Sequence, residues 1–260
     1  NSFNHGRVLF VGDAAHQVSP FGARGANSGI QDTDNLAWKL KLVIDGKAPP
    51  TLLDTYTEER GYAADENIMN STRSTDFITP KSNTSKTFRN AVLELAAKYP
   101  FARALVNSGR LSVPSWLARS SLNTPDSEAF DGDMIPGAPM ADAPVLGDSG
   151  DGWLLRQLGN RFQALHYVED ASALDAQAAR TLGELGYGGI GVEPIVLAQR
   201  GQAPAGLKTL LDSKGRLAQR YDLKPGTTYL ARPDQHVAAR WRGLDAARVK
   251  AAVARATGNA

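Results

Sequence analysis

Residues 6–16 read GRVLFVGDAAH, and they carry most of the information about the fold of the first part of the chain. The apolar run before Gly12 is rich in β-branched and aromatic residues, so it predicts a buried strand that Gly12 ends. Asp13 then stands at the carboxyl end of that strand, where open α/β sheets bind their ligands. The stretch therefore predicts a ligand site that includes a carboxylate.

A glycine-rich loop, SPFGARGA at residues 19–26, follows the predicted strand. It leads into a long amphipathic helix predicted over about residues 27–45, with Gly46 as its stop. The apolar face of this helix is predicted to consist of Ile30, Leu36, Ala37, Leu40, Val43 and Ile44. Because the N-terminus of a helix attracts anions and carbonyl oxygens, strand, acid, loop and helix together predict one half of a nucleotide-cofactor pocket.

The other half of such a pocket is not found in the sequence. A pyrophosphate cradle requires Gly-x-Gly-x-x-Gly between a strand and a helix. The glycine-rich run GYGGIG at residues 186–191 precedes a predicted strand instead of following one. The chain also begins with Asn1 instead of Met. We therefore expect it to be the C-terminal piece of a longer polypeptide, whose N-terminal part completes the pocket.

The composition of the chain excludes several classes of function. Zero cysteines exclude disulfides, thiolate metal sites and thiol redox chemistry within the chain. The four histidines lie far apart along the sequence, so no metal site is predicted. Lysine and arginine are scattered, and no apolar run is long enough to span a bilayer. Neither nucleic acid nor a membrane is therefore an expected partner, and a cytoplasmic protein is the expectation.

The 260 residues are enough for one large domain or two ordinary ones. Helices are predicted over about residues 51–77 and 86–107, the second one interrupted near Pro100. The composition then shifts toward Pro, Gly, Asp and Ser over residues 114–152, which predicts an extended crossing between domains. The predicted domain boundary lies near Phe130.

The two predicted domains, residues 1–130 and 131–260, differ in pattern. The elements predicted for the second are a strand at 161–168, a helix at 172–185, a strand at 194–199, segments at 207–211 and 216–221 that flank a turn, a hairpin at 227–231 and 237–241, and a helix from the N-cap Asp245 to about Ala256. The order β-α-β-(short helix or turn)-β-β-α is typical of a thioredoxin-like layout. Since no Cys-x-x-Cys is present, redox function is excluded and a structural or oligomerisation module is predicted.

Taken together, several motifs resemble those of the FAD-dependent aromatic hydroxylases, the group A flavoprotein monooxygenases. The matching stretches are GRV through GDAAH at 6–16, PFG at 20–22 with Gly25, Asn27 and Gly29, DNLAWKL at 34–40, and YTEER at 56–60. Residues 101–114 resemble the 3-(3-hydroxyphenyl)propionate hydroxylase branch. The tail, with LARPD at 230–234, resembles the thioredoxin-like C-terminal domain of phenol-hydroxylase-type members. The chain departs from the family pattern in lacking the N-terminal cofactor motif and most of the substrate domain.

The resemblance implies an α/β fold, in which a partial FAD-binding (Rossmann-like) segment with long helices precedes a thioredoxin-like domain. It implies that Asp13, following Gly12, accepts a hydrogen bond from a ribityl hydroxyl of FAD. Gly25, Ala26 and Asn27 are expected to offer backbone N–H groups to the isoalloxazine ring. These positions form the expected cofactor site.

Three other residues have two interpretations each, and two more have a single structural one. Pro20 either lies beside the reactive flavin edge, as the catalytic positioning residue, or is a plain loop proline. His16 either approaches the pyrophosphate or hydrogen-bonds within its turn, and Arg24 is either an anion contact or a solvated surface charge. Tyr56 and Arg60, four residues apart on one helical face, are predicted to brace their helix against the sheet.

The function implied by the resemblance is hydroxylation of a phenolic compound, with FAD as cofactor, NAD(P)H as co-substrate and O₂ as oxidant. The piece alone is expected to be inactive and to bind FAD weakly or not at all. Two alternatives stay open: a related flavoenzyme with different chemistry, and a non-catalytic thioredoxin-like interaction or oligomerisation module. A homodimer is a further expectation.

Overall fold

The predicted first strand is a short hairpin in the computed structural model, which describes residues 2–20, 24–106 and 113–260. Strands β1 (Asn4–His5) and β2 (Val8–Leu9) pair antiparallel. Val8 is 54% exposed and Phe10 is 37% exposed, so the prediction of a buried strand is wrong for this structure. The physical reason is that, within the described residues, the hairpin has no further strand to pair with.

Helix α1 (Arg24–Ile44) begins three residues earlier than predicted and is followed by Gly46 with a φ of +68°, as a helix stop requires. The predicted apolar face is wrong in part, because Ile30 is 69% exposed and Ile44 is 74% exposed. The residues of α1 that are buried include several polar ones, namely Ser28, Asp32, Asn35 and Lys39.

Three further helices follow α1. These are α2 (Asp54–Ile78), α3 (Asn83–Lys98) and α4 (Pro100–Val106). A 3-10 turn over Pro50–Leu53 precedes α2. The predicted interruption near Pro100 is confirmed, since α3 ends at Lys98 and Pro100 opens the next helix, where its missing N–H does no harm.

The C-terminal part of the chain is built on a seven-stranded sheet. Its elements are β3 (Pro144–Gly147), β4 (Gly150–Trp153), α5 (Leu154–Gln157), β5 (Phe162–Asp170), α6 (Ala176–Gly183), β6 (Val192–Arg200), β7 (Lys208–Leu211), α7 (Arg216–Tyr221), β8 (Thr228–Ala231), β9 (Val237–Trp241) and α8 (Ala246–Ala256). The strand order is β4-β3-β7-β6-β5-β8-β9. Strands β5, β6 and β7 are parallel to one another, and the other pairings are antiparallel.

Both faces of this sheet are buried. On β5, Phe162 and Ala164 belong to one apolar cluster, whereas Leu165 and Tyr167 belong to the cluster on the opposite face. A strand that is buried on both faces is apolar at successive positions, which is why these strands stand out in the sequence. The sheet therefore supplies the larger apolar core of the chain.

The chain divides into two compact units: residues 1–35 with 56–115, and residues 36–55 with 116–260. These bounds do not coincide with the predicted domain boundary near Phe130, which stays a prediction. Among the described residues, no helix combines the length and the apolar character that a bilayer crossing requires.

Candidate cofactor site

The turn after the hairpin carries the predicted carboxylate. Gly12 has a φ of +58°, and a 3-10 turn over Gly12–Ala14 places Asp13 on the surface. Within the described residues, no hydrogen bond to the Asp13 carboxylate is found. Because an ionised carboxylate only accepts hydrogen bonds, Asp13 is available to a hydroxyl donor.

Two glycines bring this turn against α1. A Cβ added at Gly29 would lie 3.2 Å from the Cα of Gly12, which is tighter than an ordinary van der Waals contact. The Gly12 backbone and the first turns of α1 are therefore direct neighbours. Any larger residue at position 29 would push the turn that carries Asp13 away from the helix.

The predicted N–H donors lie in the first turn of α1 instead of in the loop before it. Because α1 begins at Arg24, Gly25, Ala26 and Asn27 are helical residues. The N–H groups of a first turn point out of the helix N-terminus, where they can donate to a ligand oxygen. A Cβ added at Gly25 would meet no described atom within 4 Å, so packing within the protein does not require glycine there.

Beneath the turn, Asp32 of α1 is completely buried and has three hydrogen-bond partners among the described residues. Its Oδ2 accepts from the Gly12 N–H at 3.0 Å and from His16 Nε2 at 2.7 Å, and its Oδ1 accepts from Arg60 Nε at 2.7 Å. Burial alone would raise the pKa of Asp32. The His16 hydrogen bond, the Arg60 charge and the Gly12 N–H outweigh burial and hold that pKa below its ordinary value.

The structure places His16 and Arg24 inside the protein. His16 is buried against Asp32, which agrees with its structural interpretation. Arg24 is only 6% exposed and donates to Asn67 Oδ1 and, at 2.9 Å, to the carbonyl of Val113. The interpretation of Arg24 as a solvated surface charge is therefore wrong.

Pro20 is exposed at the end of a segment that α2 holds in place. Ser71 donates to the carbonyl of Ser19 at 3.2 Å, and the hydroxyls of Ser19 and Thr75 lie 3.1 Å apart. Residues 21–23 of the predicted glycine-rich loop lie outside the described residues. The role of Pro20 at a flavin edge stays a prediction.

Tyr56 and Arg60 occupy the bracing positions on α2. The Tyr56 hydroxyl donates to the carbonyl of Phe10 at 2.7 Å, and burial raises the pKa of this phenol. Arg60 pairs with Asp32 of α1. Tyr56 therefore braces α2 against the hairpin segment, as predicted, whereas Arg60 braces α2 against α1 instead of the sheet.

Sequence reasoning did not identify Asp32 as part of this site. Its only sequence signal is the spacing of Ser28 and Asp32, four residues apart on α1, together with the matching polar residues Arg60 and Asn67 on α2. Asn67 Nδ2 donates to Ser28 Oγ at 2.8 Å, and Asn35 Nδ2 donates to Glu59 Oε2 at 2.7 Å in the same buried layer. In the sequence, such a polar helix face is typical of solvent exposure.

Comparison with known protein families supports a flavin site in this part of the chain. Residues 1–71 match a family model described as an FAD binding domain. The Tetracenomycin B2 monooxygenase-dioxygenase of Streptomyces olivaceus is 58% identical over 60 residues, which are 23% of this chain and 11% of that protein.

Other relatives match nearly the whole chain. The 4-methyl-5-nitrocatechol 5-monooxygenase of a Burkholderia species is 31% identical over 255 residues, covering 94% of this chain and 42% of that protein. The crystal structure of the flavin-dependent monooxygenase PieE, in complex with FAD and substrate, aligns with 100% of this chain and 49% of its own at a TM-score of 0.75 and 25% identity. The chain thus spans less than half the length of these two proteins.

Proposed function

The chain belongs to the family of FAD-dependent aromatic hydroxylases, and from this premise we propose that it forms the flavin-ring side of the cofactor site in a monooxygenase acting on a phenolic compound. One observation carries the proposal. The close approach of Gly12 and Gly29 places the turn that carries Asp13 beside the first turns of α1. A hydrogen-bond acceptor, the Asp13 carboxylate, and the N–H donors of the helix N-terminus therefore belong to neighbouring segments.

The residues present fit FAD chemically. Asp13 is an exposed acceptor for a ribityl hydroxyl. The first turn of α1 supplies N–H donors and the positive end of a helix dipole, which stabilises negative charge that develops on the isoalloxazine ring. No described atom lies within 4 Å of a Cβ added at Gly25, which fits the close approach of a planar ring to the backbone.

When bound, FAD would supply the redox chemistry by which two electrons from NAD(P)H reduce O₂, so that one oxygen atom enters the aromatic ring and the other leaves as water. The chain's own contribution is orientation and electrostatics: Asp13 holds the ribityl chain, and Gly25, Ala26 and Asn27 hold the ring. Pro20 would fix the position of a carbonyl at the flavin edge, because its φ is restricted.

We further propose that residues 131–260 form a thioredoxin-like domain without redox function. The strand order β6-β5-β8-β9, with β5 and β6 parallel and β8 antiparallel to β5, supports this proposal. A cytoplasmic location, a homodimer and a longer polypeptide that supplies the pyrophosphate cradle also stay predictions.

An oxygenation assay tests the proposed function. The protein at its full natural length is supplied with FAD, NADH or NADPH, and a panel of phenols, and the products are identified by mass spectrometry. A phenol product heavier by one oxygen atom, formed only with nicotinamide and O₂, is the expected result. A flavin-containing protein that converts the phenols without adding oxygen would support a related flavoenzyme instead. A protein that takes up no FAD would contradict the proposal.

A further inference from the structure

Asp32 links the two parts of the proposed cofactor site. It lies on α1, two turns after Gly25, and its carboxylate bonds to the backbone of Gly12, next to Asp13. Resting on the proposed function, we infer that Asp32 is a positioning residue for flavin binding: its carboxylate fixes the Gly12–Asp13 turn in the orientation that presents Asp13 to FAD.

The geometry of the carboxylate supports this role. Gly12 has a positive φ, and its N–H points at Asp32 Oδ2 from 3.0 Å. His16, two residues beyond the turn, donates to the same oxygen at 2.7 Å. The start of the turn and the residue that follows it are therefore both hydrogen-bonded to the same oxygen, Asp32 Oδ2.

The other oxygen of Asp32 is held from the opposite side. Arg60 Nε donates to Oδ1 at 2.7 Å, and Arg60 is only 2% exposed. An amide in place of the carboxylate can accept on one side only, since its other end donates. The aspartate at position 32 can therefore accept hydrogen bonds from Arg60 of α2 and from the Gly12 N–H at the same time.

Neighbouring contacts limit the motion of the turn further, but they do not set its orientation. The Gly12–Gly29 approach fixes how near the turn lies to α1. The Tyr56 hydroxyl bonds to the carbonyl of Phe10, before the turn. Of these contacts, the one to Asp32 bonds directly to the Gly12 N–H and so sets the direction in which Asp13 leaves the turn. A ligand group held in its bound geometry before binding improves affinity.

Removing Asp32 alone is an ambiguous test, because it leaves Arg60 buried without its partner and weakens the fold. Two uncharged double variants avoid this difficulty. Asp32→Asn with Arg60→Met retains an acceptor for the Gly12 N–H. Asp32→Ala with Arg60→Met retains none. Both double variants remove the buried charge pair and carry the same net charge. They differ only in whether residue 32 can accept a hydrogen bond from the Gly12 N–H.

The experiment measures the FAD dissociation constant of the full-length protein by flavin-fluorescence titration, together with the visible circular dichroism of bound flavin and the melting temperature. We expect the Asp32→Ala double variant to bind FAD at least tenfold more weakly than the Asp32→Asn double variant, with an altered flavin spectrum. Glu59→Gln, which changes a buried carboxylate of the same α1–α2 layer, is expected to change the affinity less than threefold.

The outcomes separate the two proposals. If unaltered protein binds no FAD, the proposed function fails. If unaltered protein binds FAD and the two double variants bind it equally, Asp32 does not position the turn and this inference is overturned. Should the double variants not fold, amide exchange of unaltered, FAD-free protein decides: slow exchange at Gly12 is expected, and fast exchange there contradicts a turn fixed by Asp32.

Discussion

Between α1 and α2 several of the buried side chains are polar or charged, whereas in the sheet of residues 144–241 they are mostly apolar. In the first region Asp32 and Arg60 form an ion pair within a layer that also contains the Asn35–Glu59 hydrogen bond. In the second region, side chains such as Leu165 are completely buried among other apolar groups. Two regions of one chain can therefore both be buried and still be stabilised by different kinds of interaction.

The stability of the polar layer depends on each buried charge keeping its partner, whereas the stability of the sheet depends on apolar side chains filling the core. A buried charge that loses its partner pays the full desolvation penalty, since no water replaces the partner. A buried leucine that is shortened loses transfer free energy and leaves a cavity, but the neighbouring groups relax into part of the space. Variants in each region test this contrast through the free energy of unfolding.

Replacing Arg60 with Met should have the largest effect. This change leaves the buried Asp32 carboxylate without its cation, and we expect the free energy of unfolding to fall by about 3–5 kcal/mol. Urea denaturation followed by far-ultraviolet circular dichroism measures the change. Lys41→Met is the control: Lys41 pairs with Asp45 at 2.7 Å, but its side chain is 72% exposed, so the expected loss is below about 1 kcal/mol. Equal losses in the two variants would show that burial of the Asp32–Arg60 pair adds nothing to its contribution to stability.

Shortening Leu165 to Ala in β5 should have the next largest effect. Leu165 is 0% exposed, so we expect a loss of about 3–4 kcal/mol in the free energy of unfolding from the cavity and the lost transfer free energy. Leu93→Ala in α3 is the matched control, since Leu93 is 45% exposed and should lose less than about 1 kcal/mol. A loss for Leu165→Ala no larger than that for Leu93→Ala would mean that the sheet core is loosely packed.

The two regions should also respond differently to acid. Burial lowers the pKa of His166 from 6.5 to about 4, so the unfolded chain binds a proton before the folded chain does. The sheet region should therefore lose up to about 3 kcal/mol of stability between pH 6.5 and pH 4. The lowered pKa of Asp32 acts in a different range, because its contribution is present above pH 3.8 and is lost only as the pH falls further.

Urea denaturation at several pH values measures this response. His166→Gln should flatten the stability curve between pH 6.5 and pH 4, because the glutamine has no proton to bind. If the variant and the unaltered chain lose the same stability over this range, His166 is not the group responsible.

Two helix glycines give the smallest expected effect. Gly61 of α2 has no described atom within 4 Å of an added Cβ, so Gly61→Ala should stabilise the chain by about 0.5–1 kcal/mol. Gly29→Ala adds the same helix propensity but meets Gly12 Cα at 3.2 Å, so its gain should be cancelled. Thermal unfolding of both variants measures the change in stability. An equal increase for the two would show that the Gly12 turn shifts away from the added methyl group at no cost in free energy.

Much of the sheet region could be predicted from the sequence because its signals are local. Four strands lie within a few residues of their predicted positions, namely β5, β6, β8 and β9. Their positions could be predicted because a short apolar run bounded by turn residues is typical of a strand. The N-cap Asp245 is confirmed, with its carboxylate accepting from the N–H groups of Ala247 and Arg248.

The polar layer could not be predicted in the same way. The amphipathic template assigns polar residues to solvent, so it assigned Ile30 and Ile44 of α1 to the core and overlooked Asp32. Only the partner on α2, Arg60, makes burial of Asp32 favourable, and a pairing across 28 residues leaves no periodic trace. The prediction of a buried first strand was wrong for a related reason. Burial of a strand depends on neighbouring strands, which its own residue pattern does not specify.

FAD binding by Asp13→Ala tests the proposal that the Gly12–Asp13 turn and the N-terminus of α1 hold FAD. Equilibrium titration of the full-length protein should show tight FAD binding, a large loss of affinity for Asp13→Ala, and unchanged affinity for the control Asp65→Ala, which alters an exposed aspartate of α2. Retention of stoichiometric flavin by Asp13→Ala, with the affinity of unaltered protein, would contradict the account.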